Sequence, residues 1–213
     1  MRRVRILLAD DHALVCSGFQ KLLEPRYEVV GTVGDGRALL KAAVELKPDV
    51  VLLDITMPLL NGLDAGRELK KVMPQVKLIY LTMNTNYAFA EEAFRAGASA
   101  YVLKNTMSSQ LLQTIDGVLR GITCMSPEIR KAREQAFMRD PRSVGRPKHL
   151  TGRQAEVLQL LAEGRSLGEI AQVLKITYRT VRFHKIRIME ELGITTNVQL
   201  LRYAITHGMI SAA

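Results

Sequence analysis

A regular alternation, running to about residue 122 of this 213-residue chain, limits the possible folds more than any other feature. Apolar runs of strand length occur at Val4–Ala9, Glu28–Val33, Val50–Asp54, Lys77–Leu81 and Ala100–Leu103. Helix-length stretches follow them, at about 12–23, 36–46, 62–73, 86–96 and 108–120, with apolar residues three and four apart. In the last stretch these are Leu111, Leu112, Ile115, Val118 and Leu119. Strands that are apolar on both faces need cover on both, and strand–helix–strand crossovers provide it. The five units predict a parallel five-stranded sheet with helices on both sides. In such a sheet ligands sit beyond the carboxyl ends of the strands, near the switch in strand order.

Polar residues gather at those predicted strand ends. The stretch Val51-Val-Leu-Leu-Asp-Ile-Thr-Met-Pro-Leu-Leu-Asn-Gly62 runs four aliphatic residues into Asp54, then a Met-Pro step and an Asn-Gly turn. Asp10 and Asp11 end the first strand, Thr82 follows the fourth and Lys104 the fifth. Taken singly, each has an ordinary reading: helix caps, a strand-end hydroxyl, a solvated charge, the opening of a turn. Together they would share one sheet edge, where three carboxylates repel one another unless a cation intervenes. Hard oxygen ligands suit Mg2+, which also binds phosphoryl oxygens. Lys104 then offers a second positive charge to a phosphoryl group, Thr82 a hydrogen bond, and the Asp54 carboxylate a nucleophile. The glycines of Gly31-Thr-Val-Gly34-Asp-Gly36 lack the lysine and spacing of a phosphate loop.

The charge is uneven. Residues 1–122 carry 15 Lys/Arg against 13 Asp/Glu, whereas residues 123–213 carry 15 against 8, so most of the net +9 lies in the second part. A basic segment of this kind fits a polyanion partner or simply a solvated face. Cys16 and Cys124 have no partner motif and the four histidines no ligand spacing, consistent with reduced thiols in a cytosolic protein. No apolar run reaches the ~18 residues of a membrane helix, and the signal-like start breaks off at Asp10-Asp11.

After residue 122 the rhythm changes. Ser126-Pro127-Glu128 can start a short polar helix, and Met138–Lys148 has linker composition. The remainder is helical, at about 152–163, 167–174, 178–192 and 197–207. Capping boxes are predicted at Thr151/Gln154, Ser166/Glu169 and Thr196/Gln199, with helix stops at Gly164, Gly193 and Gly208. The segment 167–186 reads as helix, turn at Leu174-Lys175-Ile176, and second helix. In that second helix Val181, Ile188 and Leu192 form one apolar stripe, while Arg179, Arg182, Phe183, Ile186 and Arg187 project elsewhere. A fifteen-residue helix is about 22 Å long and enters a ~12 Å major groove. Arginine reads guanine edges, and Lys175, Lys185 and Arg187 can reach phosphates. The last helix is apolar on two faces, Val198/Leu201/Ile205 and Leu200/Ala204; one is a possible dimer seam, or both are buried.

Asp10-Asp11, Asp54 with Met57-Pro58, Thr82, Tyr101 and Lys104 resemble the receiver domain of two-component response regulators. Leu150-Thr151, Glu156-Val-Leu158, Gly164-Arg-Ser166, Glu169-Ile-Ala171, Thr180-Val181, His184 and Ile188 resemble the helix-turn-helix of the NarL/FixJ (LuxR-type) regulators. The resemblance implies a flavodoxin-like α/β receiver over 1–122, a partly helical linker over 123–147, and an all-α four-helix DNA-binding domain over 148–213. It implies that Asp54 is the phosphoacceptor, that Asp10, Asp11, Asp54 and the Thr56 carbonyl hold Mg2+, that Thr82 and Tyr101 form a switch pair and that Lys104 contacts the phosphoryl group. In the DNA-binding part it marks Arg182, Phe183 and Ile186 as base-facing, with Lys175, Thr177 and Arg179, and Thr180, Lys185 and Arg187, beside them. Asn105 stands where an acid often follows the lysine, Met83 is bulkier than usual, and Gln154 replaces a glutamate.

The implied function is a cytoplasmic transcription regulator, not an enzyme. A sensor histidine kinase would transfer a phosphoryl group to Asp54, Tyr101 would turn inward, and a homodimer would bind double-stranded DNA in the major groove. The alternative is a phosphorylation-independent DNA binder whose receiver is a dimerisation scaffold.

Overall fold

The structure is a computed structural model that describes residues 2–83, 85, 87–105, 108–139 and 150–210. The expected linker residues 140–147 fall outside these. The chain divides into two compact units, residues 1–144 and 145–213.

In the first unit β1 (Arg5–Ala9), α1 (Ala13–Leu23), β2 (Glu28–Val33), α2 (Gly36–Leu46) and β3 (Val50–Asp54) are followed by α3 (Gly62–Val72), β4 (Lys77–Thr82), α4 (Tyr87–Arg95), β5 (Ala100–Leu103) and α5 (Ser108–Leu119). The sheet order is β2-β1-β3-β4-β5-β6, with every pair parallel. The signal-like start is thus an inner strand. Successive strand residues point to opposite faces. Leu7, Val51, Leu53, Leu78 and Tyr80 pack under α2, α3 and α4, whereas Ile6, Leu8, Leu52, Ile79 and Val102 pack under α1 and α5. Order reverses between β1 and β3, so the tips bearing Asp10 and Asp54 are neighbours.

The helix on one face comes unusually near the sheet. A Cβ on Gly66 of α3 would collide with the Tyr80 hydroxyl. That hydroxyl is fully buried and has no hydrogen-bond partner among the described residues. Gly62 is equally constrained, since a side chain there would strike the backbone carbonyl of Asp54. The Asn-Gly step read as a turn is the start of α3: Asn61 is its N-cap and accepts from the Asp64 amide at 3.0 Å.

The sheet has six strands, not five. β6 (Cys124–Met125) pairs with β5 inside the expected linker, and α6 (Pro127–Arg139) follows it. Two residues are too few to show a period, so only the tertiary pairing reveals the strand. Ile129 of α6 is buried in the main core, and Arg133 reaches Glu91 of α4 at 3.5 Å. Ser126 has its backbone N–H on the Tyr101 carbonyl at 3.0 Å, while its hydroxyl accepts from the Leu103 amide at 3.1 Å. Although it directly precedes α6, its side chain serves β5.

The second unit comprises α7 (Gly152–Ala162), α8 (Leu167–Leu174), α9 (Tyr178–Leu192) and α10 (Asn197–Thr206). Thr151/Gln154, Ser166/Glu169 and Thr196/Gln199 form complete capping boxes. Gly164, Gly193 and Gly208 follow helix ends with positive φ, as expected of stops. Lys175 ends α8 in the same left-handed region, at φ 52. Val157, Leu158, Leu160, Ile170, Val181, Ile188 and Ala204 form the core. The two faces of α10 part company, because Leu200 and Ala204 are buried while Val198 and Leu201 are exposed.

Gln154 does two jobs. Its Oε1 accepts from the Thr151 amide at 2.7 Å and its Nε2 donates to Glu191 at 2.8 Å. A glutamate repeats the first and reverses the second, placing like charges together. Gln154→Glu is therefore expected to destabilise the second unit by about 1–2 kcal/mol, read as a lower melting temperature in differential scanning calorimetry. Ser126→Ala leaves the buried Leu103 amide unpaired. The expected loss is about 1–2 kcal/mol in the unfolding transition of the first unit, with that of the second unchanged.

Candidate functional site

Two places bring together residues singled out by sequence. The first is the carboxyl edge of the sheet. Asp10 and Asp54 are 7 % and 5 % exposed and Thr82 is buried, whereas Asp11 lies at the surface. Lys104 enters from the end of β5 and bridges the two buried acids, with Nζ 2.6 Å from Asp10 Oδ2 and 2.9 Å from Asp54 Oδ2. Its own amide donates to the Thr82 carbonyl at 2.8 Å, fixing β5 to the end of β4. Asp54 Oδ1 accepts from the Ile55 amide at 2.8 Å. The Thr56 residue follows in the same loop, which passes through left-handed backbone at Leu59 (φ 65) and closes where the Gly62 amide meets the Ile55 carbonyl at 2.7 Å.

Burial pushes the Asp54 carboxyl up to about 6, with Asp10 adding to the shift and Lys104 opposing it. It is still mostly ionised at neutral pH, as a nucleophile must be. Burial alone would lower the Lys104 ammonium, but the charges of Asp54 and Asp10 outweigh it and the group is raised. Single ligand atoms from Asp10, Asp11, His12 and Asp54 all lie within 4.8 Å of one another. Donors so close suit one divalent cation.

Tyr101 differs from expectation. It was expected to turn inward on activation, yet here it is already 0 % exposed. Its hydroxyl interacts with Thr82 without forming a well-shaped hydrogen bond. Burial raises its phenol well above the ordinary range. Two neighbours, His12 and Ser126, are not marked as site residues by the sequence. Neither carries a motif signal: His12 sits one residue beyond the acid pair, and Ser126 reaches β5 only through β6.

The second place is α9. With Val181 and Ile188 turned into the core, Arg179, Arg182, Phe183, Ile186 and Arg187 stand on the open side. Phe183 and Ile186 are 56 % and 47 % exposed, large apolar groups left in water by this fold. The Arg187 guanidinium stacks 5.6 Å from the Phe183 ring centroid and ion-pairs with Glu190. Lys185 is half-buried and Lys175 exposed. Thr177 and Thr180, candidate DNA contacts, also build the helix start: Thr177 caps α9 by accepting from the Thr180 amide at 3.1 Å, and their hydroxyls bond at 2.8 Å. Tyr178, the first residue of α9, is exposed on the same helix start and was not anticipated.

No helix among the described residues is long and apolar enough to cross a membrane. Residues 6–116 match the response regulator receiver domain and residues 148–204 the bacterial regulatory proteins of the luxR family. The transcriptional regulatory protein MctR of Rhizobium johnstonii is 35 % identical over 98 % of this chain and 96 % of its own. The oxygen regulatory protein NreC of Staphylococcus aureus is 35 % identical over 95 % of this chain and 97 % of its own. Among solved structures, the RcsB response regulator of Salmonella typhimurium superposes with a TM-score of 0.67 at 27 % identity, covering 97 % of this chain and 99 % of that one. The chain thus belongs to the response regulators that join a receiver domain to a LuxR-type DNA-binding domain, a family of transcription regulators.

Proposed function

We propose that a sensor histidine kinase phosphorylates this regulator on Asp54 and that the phosphoryl group controls its binding to DNA. One observation carries this reading: a buried carboxylate at a strand tip, held by Lys104 beside a second buried acid. An Asp54 oxygen attacks phosphorus as the bond to the donor imidazole breaks, giving an acyl phosphate. The Lys104 ammonium and the Thr82 hydroxyl hold the phosphoryl oxygens. Asp10, Asp11, Asp54 and the Thr56 carbonyl would hold Mg2+, which would supply positive charge to the group in transfer. Because Tyr101 is already inside, the new group fixes the Thr82–Tyr101 pair rather than drawing the ring in. The surface of α4, β5 and α5 responds.

In the second unit α9 enters the major groove. Arg182, Phe183 and Ile186 face the bases, with Ile186 suited to a thymine methyl, while Lys175, Arg179, Lys185 and Arg187 contact phosphates. Val198 and Leu201, left exposed on α10, supply a homodimer seam that sets two recognition helices about one DNA turn, ~34 Å, apart. RcsB has been seen as dimers bound to DNA, which supports the arrangement. Binding to the chromosome places the protein in the cytoplasm.

Incubation with a small phosphodonor and Mg2+ is expected to label each chain once. Asp54→Asn should abolish the label, and phosphorylation should raise DNA affinity. An unlabelled wild type, or an affinity indifferent to the label, would leave the phosphorylation-independent scaffold instead. For DNA reading, Arg182→Ala should cost about 1–3 kcal/mol of binding at particular base pairs, measured by fluorescence anisotropy on a panel of operators. A loss equal on all sequences would move Arg182 to the phosphates.

A further inference from the structure

The acidic rim contains one side chain that the proposed chemistry does not use. His12 is the N-cap residue of α1, yet its side chain makes no cap bond to the helix. It turns back over the strand end, with Nδ1 2.7 Å from Asp11 Oδ1 and 3.2 Å from Asp10 Oδ1. With Asp54 these residues offer four donor atoms within 4.8 Å of one another. First-row divalent ions bond nitrogen and oxygen at about 2.0–2.2 Å, so donors on opposite sides of one ion stand about 4–4.5 Å apart. The four donors, within 4.8 Å, come close to the spread of ligands around a single ion, and His12 Nδ1 and Asp11 Oδ1 need only part slightly from 2.7 Å to share it. The charges also match. Asp10, Asp11 and Asp54 bring three negative charges and Lys104, paired with two of them, removes one.

We infer that His12 Nδ1 is a nitrogen ligand to the divalent cation held by Asp10, Asp11 and Asp54, and that it tilts this site toward first-row transition ions. The inference rests on the acidic-pocket reading above. An all-oxygen pocket suits magnesium, which sheds its waters reluctantly and gains little from an imidazole. Manganese, iron, cobalt and nickel bind nitrogen donors with rising affinity. His12 is therefore a specificity-determining residue. In the competing arrangement it only hydrogen-bonds Asp11 from outside and orients it.

Pulsed electron paramagnetic resonance on the full-length protein loaded with Mn2+ separates the two. The expected result is one Mn2+ per chain whose signal carries nitrogen hyperfine modulation from an imidazole. His12→Ala removes no cap bond and alters a mostly exposed side chain, so the fold is retained. In that variant the modulation should vanish. Mn2+ and Co2+ affinity should fall about tenfold, and Mg2+ affinity, measured by competition, should change by less than about twofold. Bound Mn2+ without nitrogen modulation would overturn the inference alone and leave His12 as an orienting group. Modulation that survives in His12→Ala would also overturn it, assigning the nitrogen to a group other than His12. If wild-type protein takes up no Mn2+ at all, the pocket is not a cation site, and the reading beneath the inference fails with it.

Discussion

Lys104 resolves the electrostatic problem on which the first unit is built. The topology forces the tips of β1 and β3 together and therefore sets Asp10 beside Asp54 away from water. Two buried carboxylates at that separation cost several kcal/mol each unless compensated. The ammonium group lies within ion-pairing distance of both, and its backbone is clamped on two sides. Its amide is held by the Thr82 carbonyl, and the preceding amide by the Ser126 hydroxyl. The positive charge is thus placed by the ends of β4, β5 and β6 together. A pocket held in this way by one fixed cation can admit a second, or a phosphoryl group, without rebuilding the strands around it.

The second unit follows another logic. Its core takes Val181 and Ile188 from α9 and Leu200 and Ala204 from α10, and what remains on each helix is determined by that choice. The arginines of α9 and the aliphatic pair Val198 and Leu201 are on the surface because the inward faces are already filled. Thr177 and Thr180 join the two roles, since they fix the start of the helix that carries the exposed side chains. The first turn of α9 is therefore rigid before it meets a partner.

Features governed by local periodicity were legible in the sequence. The alternation gave five strands, their helices and the gathering of acids at one edge, because a parallel sheet must present its strand tips together. The three capping boxes were legible because each is a four-residue contract between neighbours. What depends on distant contacts was not. β6 has two residues and no period of its own. Gln154 showed its bond to Thr151 but not the one to Glu191, which lies 37 residues away. The burial of Tyr101 depends on the distant residues packed around it, and no residue pattern records it. The ambiguity of α10, two apolar faces and one core, needed the packed helices to settle it.

β6 also bears on how the molecule avoids sticking to itself. An outer strand with free amides and carbonyls invites a strand from another chain, and very short edge strands blunt that invitation. Here β5, all four of its residues apolar and buried, is sheltered by two paired residues and then a helix. The match to the receiver domain ends at residue 116, before this guard begins. A fragment trimmed to that likeness would keep every phosphorylation residue and still expose the bare flank of β5, so its natural misstep would be strand-to-strand aggregation.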